Sequence, residues 1–125
     1  MSTILVVEDD PIARNFMVQV LTGQGLRVFE ADTAAEALTV CSALKDQALD
    51  LVIADHVLPN TTVRNLAERI LEFCPHVKII HVSAFTFSRM EQENELVPGS
   101  SFLQKPFTGD QLINLVQQTL NPRKQ

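Results

Sequence analysis

The sequence predicts an α/β domain in which a parallel sheet is covered by helices on both faces. Two observations carry this. Short β-branched runs alternate with stretches of helical period five times along 125 residues. The strand-like runs are apolar throughout, as strands buried on both faces are. Right-handed crossovers then leave a doubly wound sandwich as the economical topology.

Thr3 to Val7 is the first such run. Pro11 then stands where a helix can begin, since its missing N–H costs nothing in a first turn. Ile12, Phe16, Met17, Val20 and Leu21 follow at helical spacing, and Gly23 with Gly25 punctuates the end. Arg27 to Ala31 reads as the second strand. Thr33 and Glu36 form a capping-box pattern that opens a helix carrying Ala34, Ala37, Leu38 and Cys41 on one face. Leu51 to Ala54 is the third strand, ending at Asp55, and Pro59-Asn60 breaks the chain. Val63, Leu66, Ala67, Ile70 and Leu71 make a clean helical stripe. Lys78 to Val82 is the fourth strand, Thr86 to Leu96 a more polar helix that Pro98-Gly99 terminates, and Ser101 to Leu103 the fifth strand. Thr108 and Gln111 cap a last helix carrying Leu112, Ile113, Val116 and Leu120, which Pro122 ends.

Composition narrows the function classes. A net charge of −5 without a basic stripe argues against direct nucleic-acid binding. The longest apolar runs are far too short to cross a bilayer. No secretory signal opens the chain, and Cys41 and Cys74 lack metal-type spacing, which suits a reducing cytoplasm. His56, His76 and His81 match no zinc pattern. His81, inside an apolar strand, reads as a satisfied core histidine, whereas His56 is either exposed or hydrogen-bonded in its loop.

In a doubly wound sheet, ligands bind beyond the carboxyl ends of the strands. Glu8, Asp9 and Asp10 follow the first strand, Asp55 ends the third, Ser83 follows the fourth and Lys105 the fifth. Carboxylates converging from two strand ends repel one another unless a cation joins them, and hard oxygen ligands favour Mg²⁺. Asp10 suits a helix cap better than a metal. A hydroxyl at Ser83 and a point charge at Lys105 complete the ingredients of phosphoryl transfer.

The same residues carry a resemblance. Ile4-Leu-Val-Val-Glu-Asp-Asp-Pro11, Asp50-Leu-Val-Ile-Ala-Asp55 with Pro59, Ser83-Ala84 and Phe102-Leu-Gln-Lys-Pro-Phe107 together resemble the receiver domains of bacterial response regulators, over essentially the whole chain. The resemblance implies a flavodoxin-like (βα)5 fold with strand order 2-1-3-4-5 and a receiver domain over residues 1–121, leaving 122–125 as a tail or the start of a linker. It implies that Asp55 accepts a phosphoryl group from a sensor histidine kinase or phosphotransfer protein. Asp9, Asp55 and the Val57 backbone carbonyl would hold Mg²⁺, with Glu8 acting through water. Ser83 and Lys105 would contact the phosphoryl group, Phe102 would switch rotamer with Ser83, and the Lys105–Pro106 bond would be cis.

By the same resemblance, the signal leaves through the surface of the fourth helix, fifth strand and last helix. It passes to a downstream protein or to an output domain missing from this chain; a homodimer is left open. The domain would be regulatory rather than an enzyme in its own right, catalysing only its own phosphorylation and slow dephosphorylation. The sequence departs from the family where Leu58-Pro-Asn-Thr-Thr-Val63 lacks the usual glycine and where Pro98-Gly99 replaces Gly-Ala. Val57 and Phe85 flank the expected path of the hydrolytic water and are apolar, which predicts a long-lived phosphorylated state. Among rivals, a flavin module would need a phosphate-cradling loop where Glu8-Asp9-Asp10 stands. A haloacid-dehalogenase-type phosphatase would need an Asp at Val57. The remaining alternative is a pseudo-receiver that binds a partner without phosphorylation.

Overall fold

The computed structural model describes residues 2–58 and 61–121, with side chains for all of these but 45–48. Five strands form one parallel sheet: Thr3–Val7 (β1), Arg27–Ala31 (β2), Leu51–Asp55 (β3), Lys78–Ser83 (β4) and Ser101–Gln104 (β5). Their spatial order is β2-β1-β3-β4-β5, the expected flavodoxin-like order. The chain reverses direction across the sheet between β1 and β3, so a cleft opens beyond their carboxyl ends.

Helices Pro11–Gly23 (α1) and Gly109–Leu120 (α5) cover one face. Ala34–Ala48 (α2), Val63–Phe73 (α3) and Phe87–Gln92 (α4) cover the other. Strand residues alternate between the two layers: Ile4, Val6, Leu51, Ile53, Ile80 and Val82 face α1 and α5, whereas Leu5, Val7, Val52, Ala54 and Ile79 face α2 and α3. Every one of them is under 5% exposed, which is why the runs read as continuously apolar.

Local signals set the helix starts. The Asp10 carboxylate accepts the Ile12 amide at 3.1 Å with Pro11 in the first turn, so Asp10 is a cap as expected. Thr108 and Gln111 make the full reciprocal box at α5. At α2 only half of the expected box forms: Thr33 accepts the Glu36 amide, but Glu36 reaches past Thr33 to the Asp32 amide at 2.9 Å.

Two expectations need larger correction. The helix expected over Thr86 to Leu96 is only the six residues of α4, and Pro98-Gly99 does not end it. It stops at Glu93 because Asn94 turns to φ +58°, a conformation Asn tolerates. In addition, Val57–Leu58 pairs antiparallel with Thr61–Thr62 in a short hairpin after β3. Strands of two residues are too short to show any period in a sequence. Pro59, Asn60 and Pro122 lie outside the described residues.

Candidate functional site

The register of the sheet assembles the site. Val7 lies opposite Ala54, Asp55 opposite Val82, and Ser83 opposite Gln104. The ladder continues one step past the strands, with the His56 amide on the Val82 carbonyl (2.8 Å) and the Lys105 amide on the Ser83 carbonyl (2.7 Å). Residues far apart in sequence therefore end at one level, and Glu8, Asp55 and Lys105 meet there.

Lys105 Nζ lies 2.8 Å from Glu8 Oε1 and 2.7 Å from Asp55 Oδ1. Both carboxylates are nearly shut off from water, Glu8 at 1% and Asp55 at 5% exposure. Glu8 Oε2 also accepts the Asp10 amide, and Asp55 Oδ2 accepts the Val57 amide at 3.2 Å, which fixes the orientation of both groups. Burial raises the Glu8 pKa above its ordinary value; the Lys105 hydrogen bond opposes this and the Asp55 charge adds to it. For Lys105, burial pulls the pKa down, but the hydrogen bonds to Asp55 and Glu8 outweigh it and hold the ammonium above its ordinary value.

Buried Glu8, exposed Asp9 and buried Asp55 present one ligand atom each, all within 4.8 Å of one another. Three carboxylates against the single Lys105 ammonium leave an excess of two negative charges in the cluster, and hard oxygen donors around such an excess fit a small divalent cation. Arg14 does not offset it directly, since it binds the Glu8 carbonyl (2.9 Å) and the Glu30 carboxylate.

Ser83 is buried at the end of β4 and its oxygen accepts the Phe85 amide at 2.9 Å. Phe102 is half-buried on β5 with its ring 5.8 Å from Phe87, edge to face. The Lys105–Pro106 bond is cis. Val57 is well exposed, whereas Phe85 is held between the His56 ring, 4.6 Å away, and the Arg89 guanidinium, 3.8 Å from its centroid.

His56 takes the bonded one of its two expected states, with partners outside its own loop, and His81 is the expected core residue. His56 is bonded rather than solvated: Nδ1 lies 3.3 Å from Ser83 Oγ and Nε2 3.5 Å from Glu95 Oε2. Glu95 went unmarked in the sequence because it is one of several acidic residues in a polar run. His81 is a core residue, but only half satisfied. Nε2 accepts the Val97 amide at 3.4 Å, while Nδ1 is the one buried side-chain polar atom among the described residues with no partner. Burial, with His56 and Arg64 nearby, lowers its pKa to about 4. Cys41 and Cys74 are both fully buried, and burial pushes the Cys41 thiol up to about 12, which makes it inert.

Comparison with known proteins agrees with this geometry. The family model "Response regulator receiver domain" matches residues 4–117. The chain is 29% identical to the response regulator receiver protein CpdR of Brucella abortus, over 96% of this chain and 98% of that one. It is 30% identical to the sensor kinase CckA of the same organism, over 95% of this chain but only 12% of the kinase. A crystal structure of a response regulator receiver protein from Sinorhizobium medicae superposes with a TM-score of 0.84 at 29% identity, covering 98% and 97% of the two chains. No helix among the described residues is long and apolar enough to cross a membrane. Sheet order, acidic cluster and family match converge: this chain belongs to the family of response regulator receiver domains.

Proposed function

We propose that the chain is a phosphoacceptor receiver in which Asp55 takes a phosphoryl group from the phosphohistidine of a sensor kinase or phosphotransfer protein, with Mg²⁺ held by the acidic cluster. The observation that carries this reading is the convergence of three carboxylates and one ammonium at the strand ends. Asp9, Asp55 and the Val57 carbonyl would hold the ion, and Glu8 would act through water. Bound there, Mg²⁺ would neutralise charge on the transferring group.

The protein groups have separable roles. A carboxylate oxygen of Asp55 attacks phosphorus; the O–P bond forms as the N–P bond breaks and its electron pair returns to the donor imidazole. Lys105 hydrogen-bonds the Asp55 carboxylate, and its ammonium then faces the incoming oxygens. The Val57 amide on Oδ2 holds the nucleophile in one orientation. Ser83 donates its hydroxyl hydrogen to the transferred group, and Phe102 follows that movement. The domain spans residues 1–121, works in the cytoplasm, and signals to a protein partner or output domain through α4, β5 and α5. Phe87, about half exposed there, supplies an apolar contact.

The test is the intact mass after incubation with Mg²⁺ and acetyl phosphate. A gain of one phosphoryl group, absent without metal and in Asp55→Asn, is the expected result. No gain by the folded protein contradicts the reading and favours a pseudo-receiver. Once the protein is phosphorylated, replacing Val57 with Asn and Phe85 with Gln should accelerate phosphate loss by supplying groups that orient water; an unchanged decay would rule out the proposed long lifetime.

A further inference from the structure

The phosphoryl chemistry above leaves one set of contacts unused. His56 follows Asp55 directly in the chain, yet its ring turns away from the acidic cluster and packs on Phe85 with its two nitrogens facing Ser83 and Glu95. The side chains of His56 and Glu95 are only 11% and 13% exposed, so water competes poorly for either. Glu95 faces Nε2 at 3.5 Å as an acceptor-only carboxylate, a charge contact that favours a hydrogen on that nitrogen. In the neutral ring that leaves Nδ1 an acceptor, and the Ser83 hydroxyl is the donor to it. The Phe85 amide at 2.9 Å occupies a lone pair of the same Ser83 oxygen, which is compatible with this direction.

A hydroxyl has one hydrogen. Ser83 can donate it to His56 or to a phosphoryl oxygen on Asp55, but not to both. We propose that His56, braced by Glu95, is a positioning residue that holds the Ser83 hydroxyl in the resting protein, so that phosphorylation must draw Ser83 away from His56 and thereby loosens Glu95. This rests on the reading of Asp55 as phosphoacceptor and Ser83 as the hydroxyl that meets the phosphoryl group.

The segment at the far end of this chain of bonds is built to respond. Glu95 follows the positive-φ Asn94, its amide reaches back to the Met90 carbonyl, and two residues on the Val97 amide rests on His81 through a long 3.4 Å bond. Glu95 is thus a side-chain tie between the end of α4 and the phosphorylation site. The route from Ser83 to that segment is one hydrogen bond and one ion-pair contact long and passes through an imidazole.

The experiment uses the full chain with Mg²⁺ and acetyl phosphate, and follows the charging rate by intact mass. His56→Phe keeps a ring against Phe85 but removes the hydrogen bond to Ser83 and the contact with Glu95. It should raise the charging rate about two- to ten-fold, the factor that one ordinary hydrogen bond represents. Glu95→Ala should act in the same direction, and Glu95→Gln, which keeps an accepting oxygen, should return the rate to that of the parent. In a Ser83→Ala background His56→Phe should change nothing further, whereas an effect of general loosening would persist. Imidazole ¹⁵N spectra of the parent give an independent readout: the resting His56 should be the Nε2–H tautomer with a hydrogen-bonded Nδ1, and beryllium fluoride, an acyl-phosphate mimic, should remove that bond. If the parent takes up no phosphoryl group, the receiver reading falls and this inference with it. If the parent is charged but His56→Phe leaves the rate unchanged, or its gain survives in Ser83→Ala, the positioning role alone is overturned. Should His56→Phe not fold, an Nδ1–H tautomer in the parent spectrum overturns it equally.

Discussion

The two layers on either side of the sheet are built from different materials. On the α1/α5 side, Ile4, Val6, Ile53 and Val82 meet Met17, Leu21, Leu112 and Val116, and buried polar groups follow on these strand positions at the strand ends, where Glu8 and Asp55 stand. On the α2/α3/α4 side the same kind of strand positions carry His81 and Ser83, a histidine–glutamate pair lies just outside, and the last helix is six residues long. Apolar packing has no alternative partner to turn to, so the first layer can only hold its shape. A hydrogen bond can exchange its partner, and the second layer holds two long ones, 3.3 Å at Ser83 and 3.4 Å at His81. The charged cluster at the strand ends lies where both layers meet it. The difference teaches where a charge change at Asp55 can be absorbed and where it can be read.

Five substitutions would break or sharpen that contrast. The largest effect belongs to the site both layers share. Lys105→Ala leaves Glu8 and Asp55 buried without their ammonium and should slow phosphoryl uptake by about 10²–10³-fold. The same variant should lose stability that added Mg²⁺ restores, read as a melting temperature with and without the ion. A loss that Mg²⁺ does not restore would sink the idea that the cluster is short of positive charge.

Next comes the apolar layer. Leu112→Ala empties a fully buried position on α5 and should cost about 3 kcal/mol in denaturant unfolding. Met90→Ala, equally buried on the short α4, should show most of its effect as faster local hydrogen exchange. Equal global losses from the two would erase the contrast between the layers.

His81 tests the polar layer through pH. Its folded pKa of about 4 lies below the ordinary 6.5, so the unfolded state binds more protons between those values. Its contribution is therefore complete above pH 6.5 and is lost as pH falls toward 4. That amounts to about 2 kcal/mol between pH 7 and pH 5. His81→Leu should flatten this part of the stability profile while leaving the Val97 amide without its acceptor at neutral pH. An unaltered slope would show that the acid sensitivity arises elsewhere. The smallest effect is at a helix end: Thr108→Ala removes the complete capping box of α5 and should cost about 1 kcal/mol.

Most of the fold is legible in the sequence because its signals are local. β-branched apolar runs mark strands buried on both faces, and Asp10, Thr33 and Thr108 mark helix starts through bonds only two or three residues long. Legibility fails where structure depends on distant partners. Glu36 has a choice between two neighbouring amides, and sequence does not say which it takes. The polar run from Thr86 to Leu96 has helix-forming residues enough for three turns, yet the positive φ of Asn94 cuts it short. At the site, carboxylates and lysine could be placed at strand ends from the alternation alone. That Lys105 reaches Glu8 across 97 positions, however, follows only from the sheet order. Glu95 was invisible because a half-buried glutamate looks like a solvated one until its histidine is found.

The most direct measurement is amide hydrogen exchange on the full chain, comparing the Mg²⁺-bound protein before and after charging with acetyl phosphate. The account predicts changed protection in α4 and across 93–98, with α1 unaltered away from the strand ends. Changes confined to α1 and α5, or a uniform change over both layers, would contradict it.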